Sequence, residues 1–228
     1  MPDNVKRAYR APRRGQQARD TRRRIVNAAH LLFLQHGYAA TTLEDIAIDA
    51  GVAVQTVYFH FGNKRTVLKE VMDVASVGDD EPVPLLERDW FDEIRREPDP
   101  SRALTAWVAS SRAIYERVAP LLRVVRDAAG SDAEMAAQWT TNQDQRLTAH
   151  RRLADVLADK GGLRSDLSVE RASDIIFALL SPEVFVLLTN ERGWTPAEWA
   201  QWVDASLADT LLQKRRQRAR NLDSFPSG

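Results

Sequence analysis

Apolar residues recur at spacings of three and four through almost the whole chain, with no alternating run of β-branched residues, so the pattern predicts an all-α protein. A first stripe, Ile25, Ala29, Leu32 and Phe33, predicts a helix from about Arg19 to His36 that Gly37 stops. Thr41-Thr42-Leu43-Glu44-Asp45 then offers a threonine cap with acids in the first turn. It opens a short helix whose apolar face is Leu43, Ile46, Ala47 and Ala50 and which ends at Gly51. A third helix, Val54 to Phe61, buries Val57 and Phe61. After Gly62-Asn63, a fourth carries Val67, Leu68, Val71 and Ala75 to about Val77.

Pro82, Pro84, Pro98 and Pro100 make Gly78 to Pro100 a connector, with room for a helical turn at Leu85 to Arg96. Beyond it the period predicts a helix through Leu104 to Val118, a shorter one from Leu121 to Ala129, and a long one from Asp132 to about Lys160. The next is capped by Asp166 or Ser168 and continues past Pro182 to Thr189. Thr195-Pro196 opens a last helix with Trp199, Trp202, Val203 and Leu207.

Composition narrows the chemistry. The chain has 228 residues, 44% hydrophobic and 28% charged, and every long apolar stretch reads as interrupted by charge before membrane-spanning length, so a soluble protein with no membrane partner is expected. The polar, arginine-rich Met1 to Ala18 does not read as a secretory signal, and a cytoplasmic location follows as the expectation. No cysteine is present, which removes disulfides and thiolate sites. The net charge of zero conceals a separation: residues through Ser76 carry 12 basic and 7 acidic side chains, and Met1 to Arg24 alone 9 and 2. Such an arm suits phosphate or minor-groove contact, and equally a solvated tail.

The two short helices joined across Ala50-Gly51-Val52 form a helix-turn-helix, in which the first braces the second for entry into a major groove. The second exposes Val54, Gln55, Thr56, Tyr58 and His60. Gln55 and Thr56 suit base edges, Tyr58 and His60 suit phosphate oxygens, and Lys64 suits another phosphate at the start of the fourth helix.

Ile25-Val26-Asn27-Ala28-Ala29, Phe33, His36-Gly37-Tyr38, Thr41 to Ala47, Gly51-Val52, Thr56 to Phe61 and Asn63-Lys64 together resemble, in order and spacing, the N-terminal signature of the tetracycline-repressor-like (TetR) family. The resemblance covers about Arg19 to Val77, and the rest only by helix count and lengths. It implies an N-terminal three-helix DNA-binding domain, a C-terminal helical ligand-binding and dimerisation domain, and about nine helices in all. The expected division is a basic flexible arm over 1–18, the DNA-binding domain over 19–78 with its helix-turn-helix at about 42–61, and the effector and dimerisation domain over 79–228.

The function implied is a ligand-released repressor that binds a near-palindromic operator as a homodimer, located at the nucleoid when bound to double-stranded DNA. Thr42, Gln55, Thr56, Tyr58, His60 and Lys64 inherit DNA-contact roles. At Ala53 the family often carries a capping serine or threonine, whose loss costs about 1 kcal/mol of local stability.

No cofactor and no metal are expected. His60 has no second ligand at helical spacing, and His150 with Asp155 reads as a surface or pocket residue rather than an acid–base pair. Ser110, Ser111 and Ser181 lack a nucleophile elbow, so an enzyme is the distant alternative, and a nonspecific DNA-coating protein the nearer one. A partly apolar small-molecule effector is expected among Trp107, Tyr115, Trp139, Asn142, Phe177 and Phe185, although each aromatic residue taken singly reads first as core. Ile176, Leu180, Trp199, Trp202 and Val203 form an apolar stripe that reads as a dimer seam.

Overall fold

The computed structural model describes the backbone of residues 3–78 and 85–213 and the side chains of residues 15–78 and 85–213. Helix α1 (Asp3–Ala40) is bent at Gly37, whose φ of 76° is open to glycine and disfavoured for other residues. The segment expected as a flexible arm is therefore helical from Asp3 onward, because Lys6, Arg7, Ala8, Arg10 and Ala11 are strong helix formers that outweigh Pro12 and Gly15. The expected DNA contacts of its side chains up to Arg14 lie outside the described residues.

Helices α2 (Leu43–Ala50), α3 (Val54–Phe61) and α4 (Lys64–Val77) follow the sequence pattern closely. Thr42 and Asp45 exchange cap bonds: the Asp45 amide donates to Thr42 Oγ1 at 3.1 Å, and the Thr42 amide to Asp45 Oδ2 at 3.0 Å. Gly51 then ends α2 in the left-handed region at φ 63°. Asn63 caps α4 by accepting from the Thr66 amide at 2.9 Å.

A 3-10 turn at Leu85–Glu87 leads into α5 (Asp89–Arg96), which buries Phe91 and Ile94. Helix α6 (Pro100–Ala129) is continuous, where two helices were expected. Pro120 removes one ladder bond, yet Ala119 and Leu121 on either side of it are fully packed, so tertiary contacts hold both halves in line. Helix α7 (Ala133–Asp159) is capped by Asp132.

The following helix does not run through Pro182. Ser168 caps α8 (Val169–Leu179); the chain breaks at Leu180 and Ser181, and Ser181 caps α9 (Pro182–Val186) by accepting from the Val184 amide. Proline at the first helical position is the natural start of a helix and a poor interior residue, which decides the break. A π-helical turn (Leu187–Glu191) and the capping box of Thr195 with Glu198 lead to α10 (Pro196–Leu211).

Two cores result. The first packs α1 to α4 together with Val118, Leu121 and Val125 of α6 and Met135 of α7. The second packs α5 to α10 around Trp107, Leu153, Ile176 and Trp199, and Ile114 touches both. The break in the sequence near residue 78 is thus not a break in packing: the N-terminal core is completed from behind by α6 and α7.

Candidate functional site

Helix α3 turns Val57 and Phe61 inward, 0% and 5% exposed, and leaves Gln55, Tyr58 and Phe59 exposed, with Val54, Thr56 and His60 half-buried. Phe59 is 86% exposed, the position on this helix that sequence reasoning passed over. Its spacing of four from Gln55 was the available signal, since residues four apart share a helix face. Ala53 stands at the N-cap without a side-chain cap bond, as its side chain dictates, and the Thr56 amide turns instead to the Ala53 carbonyl at 2.8 Å. Arg24 Nη1 donates to the Ala50 carbonyl at 3.2 Å and so braces the turn, while Arg22 pairs with Glu70 at 2.7 Å and lies 4.7 Å over the Phe61 ring.

Two expected contact residues are otherwise engaged. Thr42 is exposed, but its hydroxyl donates to Asp45 Oδ2 at 2.6 Å, and those bonds hold the Asp45 carboxyl below the usual range. Lys64 does not present its ammonium outward. Nζ donates to the carbonyls of Tyr38 at 2.7 Å, Thr41 at 2.8 Å and Ala39 at 3.4 Å, and sits 4.3 Å over the Tyr38 ring. An ammonium has three protons, so this cradle uses them all. Partial burial lowers the Lys64 pKa, opposed by the nearby Asp132 carboxylate.

In the C-terminal domain the expected pocket residues divide into three places. Tyr115 and Phe185 close into an aromatic cluster with Trp199, with centroids 5.0 to 6.0 Å apart. Tyr115 Oη donates to the Leu180 carbonyl at 2.7 Å, and burial pushes its phenol pKa upward. These two residues are core. Trp139 packs against the first core beside a small groove with Pro182 and Glu183.

Trp107 and Phe177 meet at His150, which is 3% exposed, and Asn142 lies two turns earlier on α7. The His150 ring lies 6.2 Å from Trp107 and 6.3 Å from Phe177, and burial, aided by the Arg146 charge, pushes its pKa down to about 3 against a weaker opposing effect of the Leu180 carbonyl. A separate cleft of about 530 Å³ lies between the end of α4, the turn before α5, and α6, lined by Ser76, Trp90, Ile114 and Arg117 among others. Arg117 Nε donates to the Ala75 carbonyl at 2.8 Å and Nη2 to Ser76 at 3.1 Å, joining α6 to the end of α4. Among the described residues no group of three or more His, Asp or Glu is placed to hold a metal ion.

The family model described as "Bacterial regulatory proteins, tetR family" matches residues 25–71, the span from α1 through most of α4. The chain is 29% identical over 194 residues to the probable HTH-type transcriptional regulator ArpR of Pseudomonas putida, covering 78% of this chain and 90% of that one. Residues 25–71 form a TetR-family DNA-binding domain. The chain is 27% identical over 184 residues to the HTH-type transcriptional repressor BepR of Brucella suis biovar 1, covering 78% and 85% of the two chains. It shares the fold of NalD, the secondary repressor of the MexAB-OprM multidrug efflux pump in Pseudomonas aeruginosa, with a TM-score of 0.65, 21% identity, and 87% and 98% coverage. With relatives of this kind along most of its length, the chain is a DNA-binding transcriptional regulator and not an enzyme. Regulators of the TetR family dimerise and bind small-molecule effectors rather than cofactors.

The expected dimer seam needs correction in this protomer. Ile176, Leu180, Trp199 and Val203 are each 0% exposed, packed within one chain between α6, α8 and α10, and have no surface to give a partner. Of the five residues only Trp202 faces outward, at 36%, with Trp194 edge-on 6.1 Å away and Leu187 exposed at 46%. The stretch Val169–Glu191 is apolar enough by length and composition to cross a membrane, contrary to the sequence expectation, and 39% of its most apolar window is buried in the protomer.

Proposed function

We propose that this regulator binds a near-palindromic operator as a homodimer and is released from it by a partly apolar small molecule. The reading rests on one observation above others: α3, which follows a turn braced by Arg24 and is ended by Gly62, carries Gln55, Tyr58 and Phe59 on its outer face. Gln55 and Thr56 read base edges, Tyr58 and His60 hold phosphates, and Val54 and Thr42 flank the contact. Phe59 adds an apolar surface of the kind that meets a thymine methyl. Lys64 serves the domain from inside.

The DNA-binding unit is 19–78 and the effector and dimerisation unit 79–228, sharing the core described above. A second copy covers the exposed apolar side of α8 to α10 at Leu187, Trp194 and Trp202, the surface a lone protomer leaves in water. Two-fold symmetry then sets the recognition helices at half-sites one turn, about 34 Å, apart or a multiple of it. The repressor role follows that of BepR and NalD. The regulator acts in the cytoplasm, at the nucleoid when bound.

Helix α4 carries the signal. Arg117 holds its C-terminal carbonyls, and its first turn is held by Lys64 and by Arg65, which lies 3.6 Å from Glu134 of α7. A shift of α6 or α7 on effector binding moves both ends of α4 and with them α3. Selection of bound duplexes from a random library at about physiological salt tests the reading: a palindrome is expected, and no enriched sequence points to nonspecific coating.

A further inference from the structure

Six side chains among the described residues hold a buried nitrogen without a hydrogen-bond partner: Arg112 and Trp199, and, on or against α7, Trp107, Asn142, Arg146 and His150. In the group around α7 the atoms are Trp107 Nε1, Asn142 Nδ2, Arg146 Nε and the ring nitrogens of His150, one of which faces the Leu180 carbonyl. Asn142, Arg146 and His150 recur every fourth residue on α7 and so share one flank. Trp107 closes on His150 from α6, and the Arg146 guanidinium lies 3.9 Å over the Phe177 ring of α8. Arg146 has one carboxylate partner, Glu183, at 3.2 Å, and its side chain is 11% exposed.

Buried polar groups in folded proteins are nearly all paired, so this concentration on one patch calls for a partner from outside the chain. Apart from one nitrogen of neutral His150, every unpaired atom of the patch is a donor. The missing partner is therefore an acceptor. Arg146 adds a positive charge, and Glu183 engages only its Nη1, so Nε stays open to a ligand oxygen.

Trp90 joins this interior to the surface. It lines the 530 Å³ cleft, and its ring centroid is 5.5 Å from that of Trp107. Trp90 sits on the eight-residue α5, which is held by Phe91 and Ile94 and is the short element between cleft and patch. Trp90, Trp107 and Phe177 present ring surfaces to whatever passes, and flat ligands gain most from such walls.

We propose that the interior formed by Trp107, Asn142, Arg146 and His150, entered from the cleft past Trp90, binds an aromatic carboxylate. The ring lies against the indoles and the carboxylate accepts from Arg146, Trp107 and Asn142. The proposal rests on the effector-responsive reading above and supplies its ligand class.

The test titrates the full-length regulator with benzoate, 2-naphthoate and 9-anthracenecarboxylate, each beside the matching hydrocarbon, reading tryptophan quenching and the indole N–H resonances. At least one carboxylate is expected to bind saturably, one per protomer, at least tenfold tighter than its hydrocarbon, and to shift the resonance that Trp107→Phe removes. Trp107→Phe and Asn142→Leu should each weaken that carboxylate about tenfold and leave the hydrocarbon unchanged. Hydrocarbons that bind as tightly as the carboxylates, variants that leave carboxylate affinity unchanged, or no saturable binding overturn the site. Operator affinity measured in the same samples separates the two readings. Donor-dependent binding with unchanged operator affinity keeps the site and removes effector release.

Discussion

Lys64 Nζ donates to the Tyr38 carbonyl at 2.7 Å and stands 4.3 Å over the ring of the same residue. One ammonium thereby closes the bend of α1 at Gly37 and pins the start of α4, two helices that must keep register for α3 to be held outward. Lys64→Met should lower unfolding stability by about 1–3 kcal/mol, because carbonyls at Tyr38 and Thr41 lose a charged donor. Urea denaturation reads this directly. Wild-type stability with weakened DNA binding would instead make Lys64 a phosphate contact.

His150 makes stability depend on pH. Its pKa is near 6.5 in the unfolded chain and about 3 in the fold, so between those values the unfolded state holds more protons. Stability should therefore fall as pH drops below about 6.5, with a His150 share of about 2 kcal/mol at pH 5, and be flat above. His150→Phe, which keeps a ring between Trp107 and Phe177, should remove that share. Identical pH slopes for the two proteins would refute it.

Phe59 and Phe61 are two residues apart on one helix and should behave oppositely. Phe61 is 5% exposed, and Phe61→Ala should cost about 3–5 kcal/mol of stability. Phe59→Ala, at 86% exposure, should change stability by less than about 0.5 kcal/mol and lower operator affinity severalfold. Thermal melts beside anisotropy titrations distinguish them, and undiminished operator affinity in Phe59→Ala would return that residue to plain surface.

Trp199 and Trp202 make a similar pair on α10. Trp199→Ala should destabilise the protomer by about 3–5 kcal/mol, as a fully buried aromatic does. Leu187→Glu with Trp202→Glu should leave the fold intact and shift sedimentation toward the monomer. A dimer unchanged by that double substitution would place the seam elsewhere.

What could be read from the chain was what local chemistry decides. Thr42 with Asp45, Gly51 and Asn63 terminate α2 to α4 through bonds spanning a few residues, so those helices were legible almost to the residue. Pro120 and Pro182 look alike in sequence. Pro182 begins a helix because Ser181 caps it locally, while Pro120 stays inside a helix because packing on both sides holds it, and only the second of these lies in tertiary contacts. The stripe of Trp199, Trp202 and Val203 has one period whether its cover comes from the same chain or a partner, so the pattern could not assign it. The bonds of Lys64 were hidden for a related reason: its acceptors lie 23 to 26 residues earlier in the chain.

The most direct test of α3 as the sequence reader is an anisotropy titration of wild type and Gln55→Ala against the selected operator and a scrambled duplex at one salt concentration. The account predicts that Gln55→Ala loses affinity for the operator by about tenfold or more while its affinity for the scramble stays within twofold. Equal losses on both duplexes, or none on either, would contradict the claim that this outer face reads DNA sequence.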